Sequence, residues 1–102
     1  MRAKANNHAL IKALSHPLRR QILRTMSDGQ AASPRELAER LDQPLSNLSY
    51  HVRVLVNSGA LKLVRKQQVR GTMQHFYRPS VKAKWVQALL KEADRGAPEG
   101  VS

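Results

Sequence analysis

The spacing of apolar residues predicts four helices in the first sixty residues of the chain. The first covers about 6–14, the second begins at Pro17, the third begins at Pro34, and the fourth spans 46–58. In each segment apolar residues recur three or four positions apart, which places them on one face of a helix. The apolar side of the first helix is predicted to carry Leu10, Ile11 and Leu14, and the second helix is predicted to direct inward Leu18, Ile22, Leu23 and Met26. The third and fourth helices are separated by only about four residues, and two short helices joined in this way form a helix-turn-helix unit.

Residues with strong local preferences mark the ends of these helices. A proline suits the first position of the second and third helices, because its missing N–H would have no partner there. Ser33 and Glu36 have the spacing of a capping box, in which each side chain accepts from the backbone N–H of the other residue. Gly29 and Gly59 follow the second and fourth helices, where glycine adopts the left-handed conformation that ends a helix.

After Gly59 the pattern changes to that of a β-hairpin. Short β-prone runs at 60–66 and 73–78 flank a segment that contains Gly71, so we predict two strands joined by a longer loop. Pro79 ends the second strand, because proline cannot donate a ladder hydrogen bond.

A fifth helix is predicted after Ser80, which suits the N-cap position. Its apolar residues follow helical spacing from Val81 to Ala93. The last residues are polar and rich in Gly and Pro, which is typical of disorder. We therefore expect a flexible N-terminus over 1–8, one domain over 9–94 and a disordered tail over 95–102.

The fourth helix has an unusual polar face, opposite its Leu and Val positions. The side chains on this recognition face are those of Ser46, Asn47, Ser49, Tyr50 and Arg53. They can hydrogen-bond to base edges and contact phosphates, and no acidic residue is present to repel DNA. The alternative is an ordinary solvated face. Val54 also falls on this side, either as a contact for a thymine methyl or, more commonly, as an exposed valine.

Composition favours an anionic partner. The 102 residues include 18 Lys and Arg against 7 Asp and Glu, a formal net charge of +11, and no acid occurs between Asp42 and Glu92. Such an excess favours nucleic acid first and a membrane surface second. The alternative is positive charge that only keeps the protein soluble. The length is sufficient for one small domain.

The predicted hairpin supplies further basic candidates for DNA contact. Gly71 permits a tight tip from which Arg70 can project, and arginine commonly enters a narrowed minor groove. The alternative is a turn glycine beside a solvated charge. Arg65 and Lys66, with Arg78 on the facing strand, are predicted to contact phosphates, which position a protein without specifying sequence.

Several other classes of function find no support in the sequence. The absence of cysteine excludes disulfides, thiolate metal sites and thiol switches. His8, His16, His51 and His75 lie in different elements without zinc-site spacing, so we expect no metal or other cofactor, and His51 is predicted to pack within the domain. The sequence contains neither a glycine-rich phosphate-binding loop nor a clustered carboxylate pair, so it gives no indication of an enzyme. Without a signal-like start or an apolar run near the ~20 residues of a membrane span, we expect a cytoplasmic protein with no membrane partner.

Four segments resemble the arsenic-repressor (ArsR) type of bacterial regulators. They are ALSHPLRRQIL (13–23), SPRELAERL (33–41), SYHVRVLVNSGAL (49–61) and LVRKQQVRGTMQHFYR (63–78). The resemblance covers roughly residues 9–90, with the four segments in the right order and spacing. It implies an α+β, mostly α, winged helix-turn-helix with a two-stranded hairpin as the wing and terminal helices that dimerise.

The resemblance also implies function. Members of this family are homodimeric DNA-binding transcription regulators, usually repressors, in which the helix matching 46–58 enters the major groove and the hairpin matching 61–78 reaches the backbone or minor groove. The positions predicted for the dimer interface are Leu10, Leu14, Val81, Trp85 and Leu89. Metal-sensing members carry cysteines on the third helix, or histidines with acids on the last helix. Because neither set is present here, metal sensing is unsupported, and the sequence does not identify a small-molecule effector.

We therefore expect a sequence-specific regulator that binds double-stranded DNA, as a homodimer on an inverted repeat. The competing class is a winged helix that serves as a protein-interaction or RNA-binding module, since one fold hosts several functions. A protein-interaction helix would expose aromatic and aliphatic side chains where this helix is polar and free of acids.

Overall fold

The structure is a computed structural model, and it describes residues 7–80. Within them lie α1 (Asn7–Ala13), α2 (Pro17–Thr25), α3 (Pro34–Leu41), α4 (Leu45–Asn57), β1 (Leu61–Val69) and β2 (Thr72–Pro79). The two strands pair antiparallel and form a hairpin, which we call the wing. The predicted α+β, mostly α, architecture is thereby confirmed. The predicted fifth helix, with Val81, Trp85 and Leu89, and the predicted tail lie outside the described residues.

The core lies among the four helices and the beginning of β1. The predicted inward positions of α2 are confirmed, because Leu18, Ile22, Leu23 and Met26 are all buried. The other large buried side chains of this core are Leu10, Leu14, Leu37, Leu48, Val52, Leu55 and Leu61. None of the helices in the described part of the chain is long and apolar enough to cross a membrane.

Two apolar side chains differ in burial from what the helical pattern of the sequence predicts. Ile11 is predicted to face the core but is 56% exposed. Val54 falls on the polar side of α4 by its position in the sequence, yet it packs against the core. The reason is that α1 covers this flank of α4, where Val54 meets Ala9 and Ala13 around a shallow cleft.

Leu10 and Leu14 do not form the surface that was predicted for them. Each is only 1% exposed, and both belong to the core of the single chain. A side chain that is already covered has almost no surface left for a second copy, so this part of the predicted dimer interface is corrected. An apolar face on a terminal helix looks the same in a sequence whether its own domain or a partner covers it.

The predicted start of α3 and the predicted end of α4 are confirmed in detail. The Glu36 N–H donates to Ser33 Oγ at 3.2 Å, and the Ser33 N–H donates to Glu36 Oε1 at 3.1 Å, which completes the capping box. At the end of α4, Gly59 is left-handed with φ 89°, and the N–H of Ala60 donates to the carbonyl oxygen of Leu55 at 2.9 Å. This is the Schellman arrangement, which satisfies carbonyls that the helix leaves without partners.

The turn between α3 and α4 depends on one left-handed residue. Asp42 has φ 54°, and the N–H of Gln43 then donates to the carbonyl oxygen of Ala38 at 2.9 Å. Aspartate tolerates this conformation better than most residues do. Pro44 follows as the N-cap of α4, so the change of direction between the two helices is completed within three residues.

The wing differs from the prediction in the length of its loop. Only Arg70 and Gly71 connect the strands, with φ of 53° and 81°, whereas a longer loop is predicted. Two residues with positive φ form a type I′ turn, whose twist matches that of a hairpin. The segment 67–69 is paired with β2 as strand. Its polar side chains hide this from the sequence, because neither face of the outer wing is buried.

A backbone bridge joins the wing to the helices. Ala32, just before α3, exchanges two backbone hydrogen bonds with Tyr77 of β2, each 2.9 Å long. A single bridging residue produces no alternating pattern, so the sequence does not predict it. The bridge lies beside the capping box and ties the start of α3 to β2.

We predict that Ser33→Ala lowers the free energy of unfolding by about 1 kcal/mol, the usual loss when an N-cap hydroxyl is removed. Ser33 is buried, so the N–H of Glu36 would lose its partner without gaining water. Urea denaturation followed by circular dichroism measures the change. Ser46→Ala, at an exposed position in the first turn of α4, is the matched control and should leave the stability within ~0.5 kcal/mol. Equal stability of the Ser33→Ala variant and the wild type would contradict the prediction.

Candidate nucleic-acid interface

The recognition face of α4 projects from the helical body. Ser46, Asn47, Tyr50 and Arg53 are exposed and Ser49 is half-buried, while Leu48, Val52 and Leu55 are buried on the opposite side. The structure therefore brings together all five side chains that the sequence places on this face. They offer hydroxyl, amide and phenol groups and one guanidinium, which can donate to and accept from base edges.

One residue of this face is hydrogen-bonded to the turn that precedes it. The Asn47 amide nitrogen donates to Oε1 of Gln43 at 3.4 Å, a long hydrogen bond. Gln43 thereby orients the Asn47 amide, a contribution that the sequence analysis does not identify. The four-residue separation is the signal that could have revealed it, since residues i and i+4 are neighbours on a helix and its first turn.

His51 lies behind the recognition face, inside the domain. It is 5% exposed, and its ring centroid lies 4.3 Å from that of His16 and 5.0 Å from that of Tyr50. Burial is the largest cause that lowers the pKa of His51 from its ordinary 6.5, followed by electrostatic interaction with His16 and with Arg19. The prediction that His51 packs within the domain is confirmed.

A cleft of about 350 Å³ separates α4 from the wing. Apolar side chains line its floor, among them Val52, Val56 and Tyr77, and Ser49 and Arg53 extend the recognition face along its rim. No acidic side chain lines the cleft in the described part of the chain. The sequence pattern does not indicate several further lining residues, among them Arg35, Thr72, Met73, Gln74 and His75.

Arg35 and the β2 residues of this cleft could not be assigned from local pattern. Arg35 is exposed in the first turn of α3, and nothing in its neighbourhood in the sequence indicates that it lies near Arg53. His75 and Met73 share the cleft only because the bridge at Tyr77 sets the angle of the wing. These positions depend on tertiary structure.

The predicted phosphate contacts of the wing divide between its two faces. Paired residues in antiparallel strands share a face, so Arg65 lies with Phe76 and Arg78, whereas Lys66 lies with His75 on the cleft side. Arg65 also lies over the Phe76 ring, with its guanidinium carbon 4.4 Å from the centroid. A bulge at Val64 causes this arrangement, because it shifts the alternation between Leu63 and Arg65.

Arg78 has a partner within the domain. Its Nε donates to the carbonyl oxygen of Gly29 at 3.1 Å, and so it fastens β2 to the loop that follows α2. Gly29 is left-handed with φ 81°, but it does not cap α2 as predicted, because α2 ends at Thr25 with Met26 as its C-cap. The Nε of Arg65 likewise donates to Oε1 of Gln67 at 3.0 Å. Arg65 and Arg78 therefore both help to hold the wing, whereas Lys66 has no such contact described.

Arg70 occupies the tip of the wing in a strained conformation. Its φ of 53° is left-handed, which costs a residue with a Cβ roughly 1–2 kcal/mol. Asn at this position, followed by Gly, is the sequence that a type I′ turn favours. Arg70 and Gly71 are both exposed, so the guanidinium projects from the end of the hairpin.

The described residues hold no group of three or more His, Cys, Asp or Glu side chains that could bind a metal ion. His16 and His51 are the two histidines in ring contact, and they lie apart from His75 in the cleft.

Comparison with known proteins identifies the family. The model of the "Helix-turn-helix domain" family matches residues 14–64. Reduced HlyU from Vibrio cholerae is 30% identical, with a TM-score of 0.66 over 86% of this chain and 84% of that chain. No curated protein sequence is significantly similar.

A second similar structure is a homodimeric winged helix-turn-helix DNA-binding domain from Mycobacterium bovis, described as a possible ArsR-family transcriptional regulator. Its solution structure is 19% identical, with a TM-score of 0.68 over 100% of this chain and 94% of that chain. The crystal structure of the same fragment is 23% identical, with a TM-score of 0.66 over 86% of each chain. The chain therefore belongs to the helix-turn-helix domain family, and its fold is that of the ArsR-type winged helix-turn-helix DNA-binding transcriptional regulators.

Proposed function

We propose that this protein is a sequence-specific regulator of transcription that binds double-stranded DNA as a homodimer and acts as a repressor. The observation that carries the proposal is the recognition face of α4, which is exposed, polar and free of acids beside a basic wing. A surface of this kind suits the major groove, where base edges present hydrogen-bond donors and acceptors between two rows of phosphates.

Two residues are assigned to base recognition. Arg53 is exposed on α4 and can donate two hydrogen bonds to the O6 and N7 atoms of guanine. Asn47 can bond bidentately to adenine, and its contact with Gln43 orients the amide beforehand. Ser46, Ser49 and Tyr50 complete the face with shorter or less charged groups.

The wing is assigned to the DNA backbone and the minor groove. Lys66 lies on the cleft side of the wing, and Arg35 lies across the cleft in α3, so both are placed to contact phosphates next to the major groove. Arg70 extends from the tip, from which arginine can enter a narrow minor groove. Phosphate contacts position the protein, and α4 supplies the discrimination between sequences.

Homodimerisation is proposed from the M. bovis relative, which is homodimeric, together with the apolar pattern of residues 81–93. A two-fold dimer presents two copies of α4 and so favours an inverted repeat, with half-sites about 34 Å apart. Repression then follows if the bound dimer excludes polymerase from an overlapping promoter.

Selection of bound sequences from a random duplex library tests this function directly. The expected result is enrichment of an inverted repeat with half-sites one helical turn apart. Affinity should fall steeply with salt, with a log–log slope of roughly −5 to −9 for six to ten phosphate contacts. Enrichment of no sequence, or equal affinity for single-stranded RNA and duplex DNA, would overturn the proposal and favour an RNA-binding or protein-interaction module.

Arg53→Ala and Asn47→Ala should each weaken binding to the selected site by about 1–3 kcal/mol and relax the base preference at one position. Lys66→Ala should instead weaken all duplexes alike and reduce the magnitude of the salt slope by about 1. Arg40→Ala removes an exposed arginine outside α4 and the cleft, and serves as the control for loss of charge alone. Unchanged affinity and preference in both the Arg53 and Asn47 variants would show that the face is solvated surface.

Arg70→Asn should separate stability from binding. Asn relieves the left-handed strain, so the free energy of unfolding should rise by a few tenths to about 1 kcal/mol. Loss of the cation should nevertheless weaken DNA binding and reduce the magnitude of the salt slope by about 1. Arg70→Lys keeps both the charge and the strain, and should bind nearly as well as the wild type. If Arg70→Asn binds DNA as tightly as the wild type, the tip does not contact DNA.

Substitution within the apolar pattern of 81–93 should abolish the dimer. Trp85→Glu or Leu89→Glu would place a charge where a symmetric copy covers an apolar surface, so each should sediment as a monomer while helical content persists. Lys84→Glu, next to Trp85 but outside the apolar pattern, is the matched control and should remain dimeric. A wild type that is already monomeric at tens of micromolar in analytical ultracentrifugation would contradict the prediction.

A further inference from the structure

Two histidines pack against each other beneath the recognition face. His16 is the N-cap of α2 and His51 lies in the middle of α4, with their ring centroids 4.3 Å apart. On the other side of His51, Tyr50 makes an edge-on contact at 5.0 Å with an interplanar angle of 69°. The three rings thus make consecutive contacts, tilted and edge-on, from the beginning of α2 to the exposed face of α4.

The surroundings of the two ring nitrogens Nδ1 suit neutral imidazoles. The N–H of Leu18 donates to Nδ1 of His16 at 3.1 Å, so this nitrogen carries no proton. A protonated imidazole has donors at both nitrogens and could not accept this bond. Nδ1 of His51 is buried and has no hydrogen-bond partner among the described residues, so a proton added there would be neither solvated nor bonded.

The groups around His51 oppose a positive charge. From α2 it faces His16 and Arg19, and on α4 it faces Tyr50, while Lys12 of α1 lies with Arg19 and Tyr50 around the adjoining cleft. Within the described chain, the groups that act electrostatically on His51 are His16 and the Arg19 guanidinium, and no carboxylate is among them. Burial and these groups are the causes of its lowered pKa.

We propose that His51, held neutral against His16, is a positioning residue for DNA recognition, and that proton uptake by His51 weakens DNA binding. Protonation of His51 places a charge on a buried ring that packs against His16 and lies near Arg19. This charge loosens the packing of α4 on α2, which holds the Tyr50 ring in place. The inference rests on the proposed function, because it concerns how strongly the same face binds DNA.

The direction of the pH effect follows from linkage. A histidine whose pKa is lower in the folded state binds fewer protons when folded than when unfolded. Its contribution to stability is therefore complete above the ordinary pKa of 6.5, and it is lost as the pH falls below 6.5 toward the folded-state pKa. Protonation of histidines that face DNA would have the opposite effect on binding, since added positive charge attracts phosphates.

The test is a titration of the full chain with a rhodamine-labelled duplex, at constant ionic strength, from pH 7.5 to 4.5. Wild-type affinity should fall as the pH drops through the lowered pKa of folded His51, by up to about tenfold per pH unit, the factor that uptake of one linked proton produces. The ring-proton resonances of Tyr50 in the free protein should shift over the same range. Constant or rising affinity on acidification would overturn the inference.

Variants assign the effect to His51. His51→Phe keeps an aromatic ring that cannot titrate, so its affinity should be nearly independent of pH. If that variant does not fold, His16→Ser supplies an N-cap hydroxyl in place of the imidazole nitrogen and removes the ring that packs against His51, so the loss on acidification should shrink. The control His8→Gln removes an exposed histidine outside the cleft and should preserve the loss. An undiminished loss in the first two variants, or its disappearance in the control, would refute the inference.

Failure of the DNA-binding proposal can be distinguished from failure of the His51 proposal by measuring stability as well as DNA affinity. A protein that binds no duplex at any pH would overturn the DNA-binding proposal, and with it the positioning role of His51. The linkage of His51 would still appear in the midpoint of thermal unfolding, which should fall below pH 6.5 in the wild type and remain level in His51→Phe. A level midpoint in both proteins would show that folded His51 takes up a proton as readily as the unfolded chain does, and so is not held neutral by the fold.

Discussion

Burial of one side of α4 is the constraint on which the proposed interface depends. Leu48, Val52 and Leu55 lie inside the core, and the period of the helix then turns the recognition face outward. Each buried aliphatic side chain contributes about 1.5–3 kcal/mol, several times the ~0.2–1 kcal/mol of a surface ion pair. The rotation of α4 is therefore set by its apolar side, and the polar side chains are presented to DNA without needing contacts of their own to hold the helix.

The wing is held by fewer and more local contacts. Its inner end is fixed by the backbone bridge between Ala32 and Tyr77, and by the bond from Arg78 to the loop after α2. Farther out, the wing residues are mostly exposed, and no core restrains their position. The two parts of the interface thus differ physically. The helix is fixed by burial, which suits base recognition, whereas the outer wing can follow the backbone, whose contacts tolerate small displacements.

The sequence predicts the features that depend on neighbouring residues. The capping box at Ser33 and the end of α4 at Gly59 follow from local hydrogen bonding, and the recognition face follows from helical period. The sequence predicts a longer loop in place of the two-residue turn, because 67–69 form a strand that has no apolar face to indicate it. Burial of Val54 and of Leu10 depends on how α1 crosses α4, and the cleft depends on the angle of the wing. These contacts join residues that are distant in sequence, and no periodic pattern of apolar residues predicts them.

Three residues break the rules that stabilise the remainder of the domain. Arg70 occupies a left-handed position that favours Asn or Gly, His51 buries a ring nitrogen without a partner among the described residues, and His16 caps α2 with an imidazole nitrogen where Ser, Thr, Asp or Asn is usual. Each departure would be removed by a simple substitution, and each affects α4 or the tip of the wing. The core of the domain, by contrast, follows the ordinary rules of burial, and α3 follows those of capping. Strain and unsatisfied groups tend to persist where function requires them, supported by surrounding structure that is stable without them. The buried side of α4 therefore supplies stability and its exposed side supplies recognition. His51 contacts His16 on the first side and Tyr50 on the second, so a change in the packing of the buried side can alter the recognition face through it.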